Sequence, residues 1–376
     1  MSLQFEYQSY ISKHGIRSFL NKYIPNSITK LELCKLILDL DYDKKHVLNY
    51  DSRPIIEIAA ILVNLLLEDI RYQKLTISDE KINQSPYSIR QFCNDLQSSK
   101  RILIVTGAGI STSLGIPDFR SIQGLYSQLS HLHFKDPQLV FDITEFKKNP
   151  EIFYSVAHLI LPPSGKYSVL HGFIKLLQDK HSLLRNYTQN IDNLESYAGI
   201  KSDKLIQCHG SFGSATCLTC QNQFAGAKIF NHIKHKQVPR CSSCWKDTHE
   251  APMNYGVIKP NITFFGEDLP QRFYKCIEND RKKCDLVIVI GTSLKVEPVG
   301  SIIDRTPRKV PRILINKEPL PQRDFNLTLL GSCDDIVSII CSLLGKEWHI
   351  PHENFKPTTD SSFVRHETLP STYVIK

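Results

Sequence analysis

The sequence predicts an α/β fold: a parallel sheet covered by helices on both faces, interrupted by a small metal-binding module and preceded by a helical region. Three observations predict it. Apolar runs recur, each ending in small or polar residues: "RILIVTGAGIS", "DLVIVIGTSL", "PRILINKEP" and, more weakly, "LLRNYTQNID". Continuous apolar runs separated by helical stretches indicate buried parallel strands. Two Cys-x-x-Cys pairs lie in a stretch, 213–254, that has no long apolar run. Residues 1–95 show helical periodicity and no motif of evident chemistry.

Within the N-terminal helical region, "SRPIIEIAAILVNLLLEDIRYQ" offers Ser52 as a cap and Pro54 in the first turn. Apolar residues follow at Ile55, Ile56, Ala59, Leu62, Leu66 and Ile70, near helical spacing. "ISKHGIRSFLNKYI" is also amphipathic. Such a module packs on the core or holds a partner. The α/β domain is expected over 96–345. The polar tail, 346–376, has three prolines and is expected to be weakly ordered.

Composition sets the bounds. A chain of 376 residues with 41% hydrophobic content can bury a sizeable core. The net charge of +8 suits an acidic partner but does not single one out. The longest apolar run, Ile58–Leu67, is broken by Asn64 and is too short to span a bilayer. The first residues show no charged-then-apolar leader, so a reducing interior is expected. There the 11 cysteines are thiols or metal ligands rather than disulfides.

Cys217-x-x-Cys220 and Cys241-x-x-Cys244 have the spacing of a four-thiolate zinc site. Four thiolates satisfy tetrahedral zinc and leave no position for substrate, so the metal is structural. A nucleic-acid-binding zinc ribbon is a weaker reading, because no aromatic residues interleave with Lys234, Lys236 and Arg240. A saturated metal also leaves His209, in "KLIQCHG", without a ligand role. A structural or an acid–base role remains for it, at what reads as a strand end next to Gly210.

Gly107 and Gly109, after the first strand, allow a sharp turn that brings backbone N–H groups to a pyrophosphate at a helix start. The next glycine is Gly115, so the dinucleotide fingerprint spacing is not met, and no Walker lysine follows. Asp118, Phe119 and Arg120 follow in "IPDFRS". Gln189, Asn190 and Asp192 stand at another strand end, suited either to hydroxyls and a carboxamide or to capping a helix. Ligands in parallel sheets sit beyond such strand ends.

These stretches occur in a shared order: Gly107-Ala108-Gly109-Ile110-Ser111, Gly115 through Pro117 to Arg120, Thr188 through Ile191 to Asp192, His209-Gly210, the cysteine knuckles, Phe264-Phe265-Gly266-Glu267 and Gly291-Thr292-Ser293. The order resembles that of sirtuins over about 95–345. The helical segment and "NYTQNIDNLESYAGI" are similar to fungal members.

The resemblance implies a Rossmann-like domain with a small zinc-bearing domain, one structural Zn2+, and NAD consumed as co-substrate in protein-lysine deacetylation. The products would be nicotinamide, O-acetyl-ADP-ribose and free lysine. NAD would lie along Gly107–Tyr126, with Gln189–Asp192, Gly291–Ser293, Asn316, Lys317, Glu318 and Cys333 completing its pocket. Phe119 would shield the ribose, Asp192 would hold the carboxamide, Asn190 would position ribose and a water, and His209 would be the general base. An acetylated histone tail would pair along Ile262, Phe264, Phe265 and Gly266, flanked by Glu267.

Silencing or repressor proteins on the helical region, a nuclear location, no sequence-specific nucleic-acid binding and no membrane contact complete the expectation. The missing fingerprint argues against a nicotinamide oxidoreductase. ADP-ribosyl transfer to protein and a chromatin scaffold stay open on sequence.

Overall fold

The computed structural model describes residues 3–375 except 26, 41, 43, 76–86, 123, 130–135, 163–164, 245–251 and 359–361. The chain divides into two compact units, Met1–Glu80 and Lys81–Lys376.

The first unit holds α1 (Leu3–Tyr23), α2 (Lys30–Asp39) and α3 (Ile55–Leu75). Thr29 and Glu32 cap α2 reciprocally: Thr29 N donates to Glu32 Oε2 at 2.8 Å, and Glu32 N donates to Thr29 Oγ1 at 3.3 Å. Phe19, Leu33, Ile37, Ile58 and Leu62 form its core. The inward stripe of α3 is Ile58, Leu62 and Leu66, four residues apart. Ile55 and Ile56, expected on that stripe, therefore face outward, Ile56 with 77% exposure. Ser52 does not cap α3; its hydroxyl donates to Asn49 O at 2.8 Å in a preceding turn. Among the described residues, no helix is long and apolar enough to cross a membrane.

The second unit opens with α4 (Ile89–Ser98), which the sequence reading split at residue 95. Its amphipathic face buries Ile89, Phe92, Cys93 and Leu96, so it belongs with the α/β body.

Among the described residues the main sheet has eight strands. In spatial order they are β10 (Phe363–Arg365), β11 (Thr372–Ile375), β9 (Leu327–Leu330), β8 (Arg312–Asn316), β7 (Leu286–Ile290), β1 (Ile102–Thr106), β2 (Leu183–Thr188) and β3 (Leu205–Gln207). From β11 to β3 every pairing is parallel. β1 and β7 are buried at every residue, as an apolar run covered on both faces must be. From β1 the chain steps outward to β2 and β3; from β7 it steps the other way to β8 and β9. The order reverses between β1 and β7; in such sheets the crevice for a ligand is expected beyond the carboxyl ends of these strands.

A second, antiparallel sheet runs β5 (Gln223–Ala225), β4 (Gly210–Cys217), β6 (Ile258–Ile262). It shares one core with α5 (Leu125–Gln128), α6 (Ile143–Lys148), α7 (Pro150–Val156) and α10 (Ala227–Lys234). Phe146 and Phe264 meet there edge-on, with centroids 5.2 Å apart. Two segments distant in sequence thus build one small lobe. Helices α8 (Val169–Asp179), α9 (Leu194–Tyr197), α11 (Gln271–Lys283) and α12 (Cys333–Leu344) complete the unit.

The tail departs from its expectation of weak order. β10 and β11 form a hairpin, and β11 extends the main sheet in parallel with β9. The unpaired edge of β9 supplies the hydrogen bonds. Phe363 and Tyr373, widely spaced among polar residues, supply the burial, at 0% and 5% exposure. Removing residues 362–376 is expected to cost about 3–6 kcal/mol, the burial of two aromatic side chains, and to uncover an aggregation-prone edge. Urea melts of the truncated chain, read against the full chain, check this.

Candidate active site

The crevice floor is built by backbone contact. Gly107 N donates to Ile290 O at 3.1 Å, and Gly109 N donates to Gly291 O at 2.8 Å. A Cβ on Gly109 would stand 2.7 Å from Gly291 Cα, and one on Gly291 would stand 2.7 Å from Ile110 N. Any side chain here pushes two backbones apart. The loop after β1 does not start an α-helix, as the sequence suggested. It makes two short 3-10 turns, Ala108–Ile110 and Thr112–Leu114, stopped at Gly115 with φ +82° ahead of Pro117.

Asp118 Oδ1 accepts from the amides of Arg120 and Ser121 at 2.9 and 2.7 Å, which ties off the 118–126 loop. Phe119 leans on Phe141 and Tyr126, with centroids 5.9 and 5.8 Å away, and the Arg120 guanidinium lies 5.9 Å from the Tyr126 ring. Burial pushes the Tyr126 hydroxyl up to about 12.

At the end of β2 both oxygens of Asp192 are engaged. Its Oδ1 accepts from Leu194 N at 3.1 Å, at the start of α9, and its Oδ2 accepts from Ser111 Oγ at 2.7 Å. Asn190 Nδ2 donates to the same Ser111 oxygen at 3.3 Å. Burial raises the Asp192 carboxyl. Glu195, not singled out from sequence, is fully buried; desolvation first and the Asp192 charge second push it up to about 8. Its signal was an acid one helical turn after Asp192.

Gln189 joins three strands. Its amide donates to Thr106 O at 2.9 Å, its Oε1 accepts from Thr292 Oγ1 at 2.5 Å, and its carbonyl lies 2.9 Å from His209 Nδ1. A carbonyl only accepts, so Nδ1 carries the proton and Nε2 is a bare nitrogen. That Nε2 is buried and has no partner. Burial, partly offset by the Gln189 bond, lowers the His209 pKa.

Asn316 Nδ2 donates to Glu318 O at 2.9 Å and reaches Thr292 O at 3.4 Å, beside Ser293. Lys317 and Glu318 are exposed. Cys333, at the start of α12, is buried, and desolvation pushes its thiol up to about 12.

The strand expected to hold a peptide divides by role. Ile262 and Phe264 are core residues of the small lobe at 3% and 2% exposure. Phe265 pairs its backbone with Phe141 and Ile143 yet leaves its ring 38% exposed, next to Gly266 with φ +88°. Glu267 is engaged internally: its Oε2 accepts from Phe264 N at 2.8 Å and from Lys259 Nζ at 2.9 Å. Lys259, which the sequence reading passed over, is buried, donates to Ile262 O at 2.7 Å and sits 4.2 Å from the Phe264 ring centroid. Its signal was a lysine inside the apolar run "GVIKPNI".

The four cysteines converge, their sulfurs all within 4.8 Å of one another. Cys217 and Cys244 are 3.4 Å apart, and Cys220 and Cys241 are 3.7 Å apart. Tetrahedral zinc with Zn–S near 2.3 Å sets sulfurs about 3.8 Å apart, so the residues fit the ion. His209 is not among them. It precedes β4, whose far end is Cys217; His209 O accepts from Thr263 N and Cys217 pairs with Ile258, five residues apart along the partner strand, so about 16 Å separates the two.

Residues 107–298 match the family model described as the Sir2 family. The chain is 49% identical to the NAD-dependent histone deacetylase SIR2 of Candida albicans, across 94% of this chain and 80% of that protein. The chain belongs to the Sir2 family. It is also 40% identical to the Saccharomyces cerevisiae NAD-dependent histone deacetylase SIR2, across 97% and 74% of the two chains. To the NAD-dependent protein deacetylase HST1 of that yeast it is 48% identical, across 77% and 61%. NAD is the cofactor that Sir2-family membership implies; the glycine loop packed on Gly291 and the unpaired His209 Nε2 stand at neighbouring strand ends of this chain.

Two outcomes test this geometry. Cys217→Ala is expected to release the metal and melt the small lobe; full zinc content by mass spectrometry with an unchanged melting curve counts against a structural site. Gly210 has φ +66°, and a Cβ there would lie 2.0 Å from Asn261 O. Gly210→Ala is therefore expected to cost on the order of 3 kcal/mol, measured by denaturant unfolding.

Proposed function

We propose that the chain is an NAD-dependent protein-lysine deacetylase acting on acetylated histone tails, with nicotinamide, O-acetyl-ADP-ribose and free lysine as products. Family membership supports the reaction class. The observation that carries the assignment of parts is the state of His209: Nδ1 committed to the Gln189 carbonyl, Nε2 bare and buried.

Bound NAD supplies an activated ribose carbon when nicotinamide departs. The chain's residues do the rest in this reading. His209 Nε2 takes a proton from a ribose hydroxyl, and the Gln189 carbonyl, acting on Nδ1–H, holds the ring in the tautomer that can do so. Asp192 accepts from the carboxamide N–H₂, keeping its bond from Leu194. Asn190 holds a ribose hydroxyl or water. Phe119, braced by Phe141, covers the reacting face against solvent. Gly107, Gly109, Ser111 and Arg120 border the phosphates; Asn316, Glu318 and Cys333 border the adenosine half.

The peptide would lie extended along Phe265 and Gly266, read mainly through its backbone. Phe264 and the Lys259–Glu267 pair support that strand from behind. The zinc braces the lobe that carries the strand and takes no part in proton transfer. Partners from chromatin-silencing or repressor complexes, and a nuclear location, belong to the same reading. The N-terminal unit, which exposes Leu31, Ile56 and Leu67, is the proposed point of attachment.

His209→Ala is expected to abolish nicotinamide release from an acetyl-histone peptide while NAD still binds by calorimetry; near-normal turnover refutes the assigned role. The pH dependence follows from the lowered His209 pKa. The ring stays unprotonated below the ordinary histidine value of about 6.5, so the acid limb of kcat/KM should fall below that pH. The unfolded chain takes up this proton at higher pH than the folded one, so His209 makes the fold less stable as pH drops through that window. An acid limb at or above neutrality would assign the base elsewhere.

A further inference from the structure

The loops bordering the crevice leave strands that do not touch: β1 and β9 are separated in the sheet by β7 and β8. The first turn of α8 reaches the glycine loop after β1 and the first turn of α12 after β9. Ser168 Oγ donates to Ile110 O, inside the glycine loop, at 2.9 Å. Leu170 N donates to Asp334 Oδ1, beside Cys333, at 2.8 Å. Ser168 is 2% exposed and the neighbouring His171 0%, so the Ser168 bond is shielded from water.

His171 holds the backbone of Ser168 in place for the first of these bonds. Its Nδ1 accepts from Ser168 N at 3.2 Å and lies 2.8 Å from Ser168 Oγ. Ile110 O can only accept, so the hydroxyl proton serves that bond. Burial lowers the imidazole to about 3, so the ring is neutral. With Nδ1 accepting, Nε2 carries the ring proton, and it is the ring atom without a partner.

We propose that Ser168, His171 and Asp334 form a clasp that sets the glycine loop and the first turn of α12, which follows β9, at the separation a dinucleotide requires. They are positioning residues for NAD affinity and touch neither the reacting ribose nor the peptide. The inference rests on the NAD reading of the crevice.

The test measures KM for NAD and for acetyl-peptide, kcat, and NAD binding by calorimetry, on the full chain. Ser168→Ala is expected to raise the NAD KM and dissociation constant about tenfold, the loss of one buried hydrogen bond. Peptide KM and kcat at saturating NAD should stay near the unmodified values, and Ser168→Thr should restore NAD affinity. Asp334→Ala, which opens the other arm, should give the same NAD-selective loss and serves if Ser168→Ala does not fold. Unchanged NAD affinity in a folded Ser168→Ala or Asp334→Ala protein, whatever its melting temperature, reduces the turn to a helix cap and overturns the clasp. An unmodified chain that releases no nicotinamide overturns the function instead, so the two failures are distinguishable.

Discussion

At the carboxyl ends of β1 and β7 two backbones lie against each other, Gly109 on Gly291, with no room for a Cβ on either. Everything around the crevice is arranged from this contact. It lies where the strand order reverses, so the loops from both halves of the sheet converge on it. The amide of Gly109 is spent on Gly291 O, which makes the floor rigid. Thr292, next along, accepts the task of holding Gln189, and Gln189 in turn fixes His209. A chain of short bonds thus runs from the glycine contact to the imidazole, crossing three strands.

The second constraint is separation. One continuous strand, β4, begins beside His209 and ends at a zinc-ligating sulfur. The same strand leaves the buried Nε2 of His209 at one end and the thiolate cluster at the other. Its partner β6 carries Lys259, which is held by Ile262 O and Glu267 and packed under Phe264. Burying an ammonium is costly unless it is paired and hydrogen-bonded; here both conditions are met. The metal-braced sheet and the turn at Phe265–Gly266 are therefore mechanically one piece.

The small lobe and the C-terminal hairpin share a logic. Each is made of segments whose apolar residues are too few to fold alone, and each borrows a partner from elsewhere. Residues 125–160 and 212–264 pool their aromatic rings around Phe264. The tail, polar on average, needs only Phe363, Tyr373 and the open edge of β9.

By itself the sequence determined the parallel strands, the glycine loop and the thiolate set, because each is written in local pattern: apolar runs, φ-permissive glycines and ligand spacing. It also determined, by residue type alone, that a saturated zinc site frees His209. Only the tertiary structure showed that Asp192 takes Leu194 N on one oxygen and Ser111 Oγ on the other. It alone placed Phe264 in the core, put Glu267 on Lys259, moved α4 into the α/β body and ordered the tail. Those outcomes turn on pairings between residues far apart in the chain, where burial and hydrogen-bond partners are set by the packed neighbours and leave no periodicity to read.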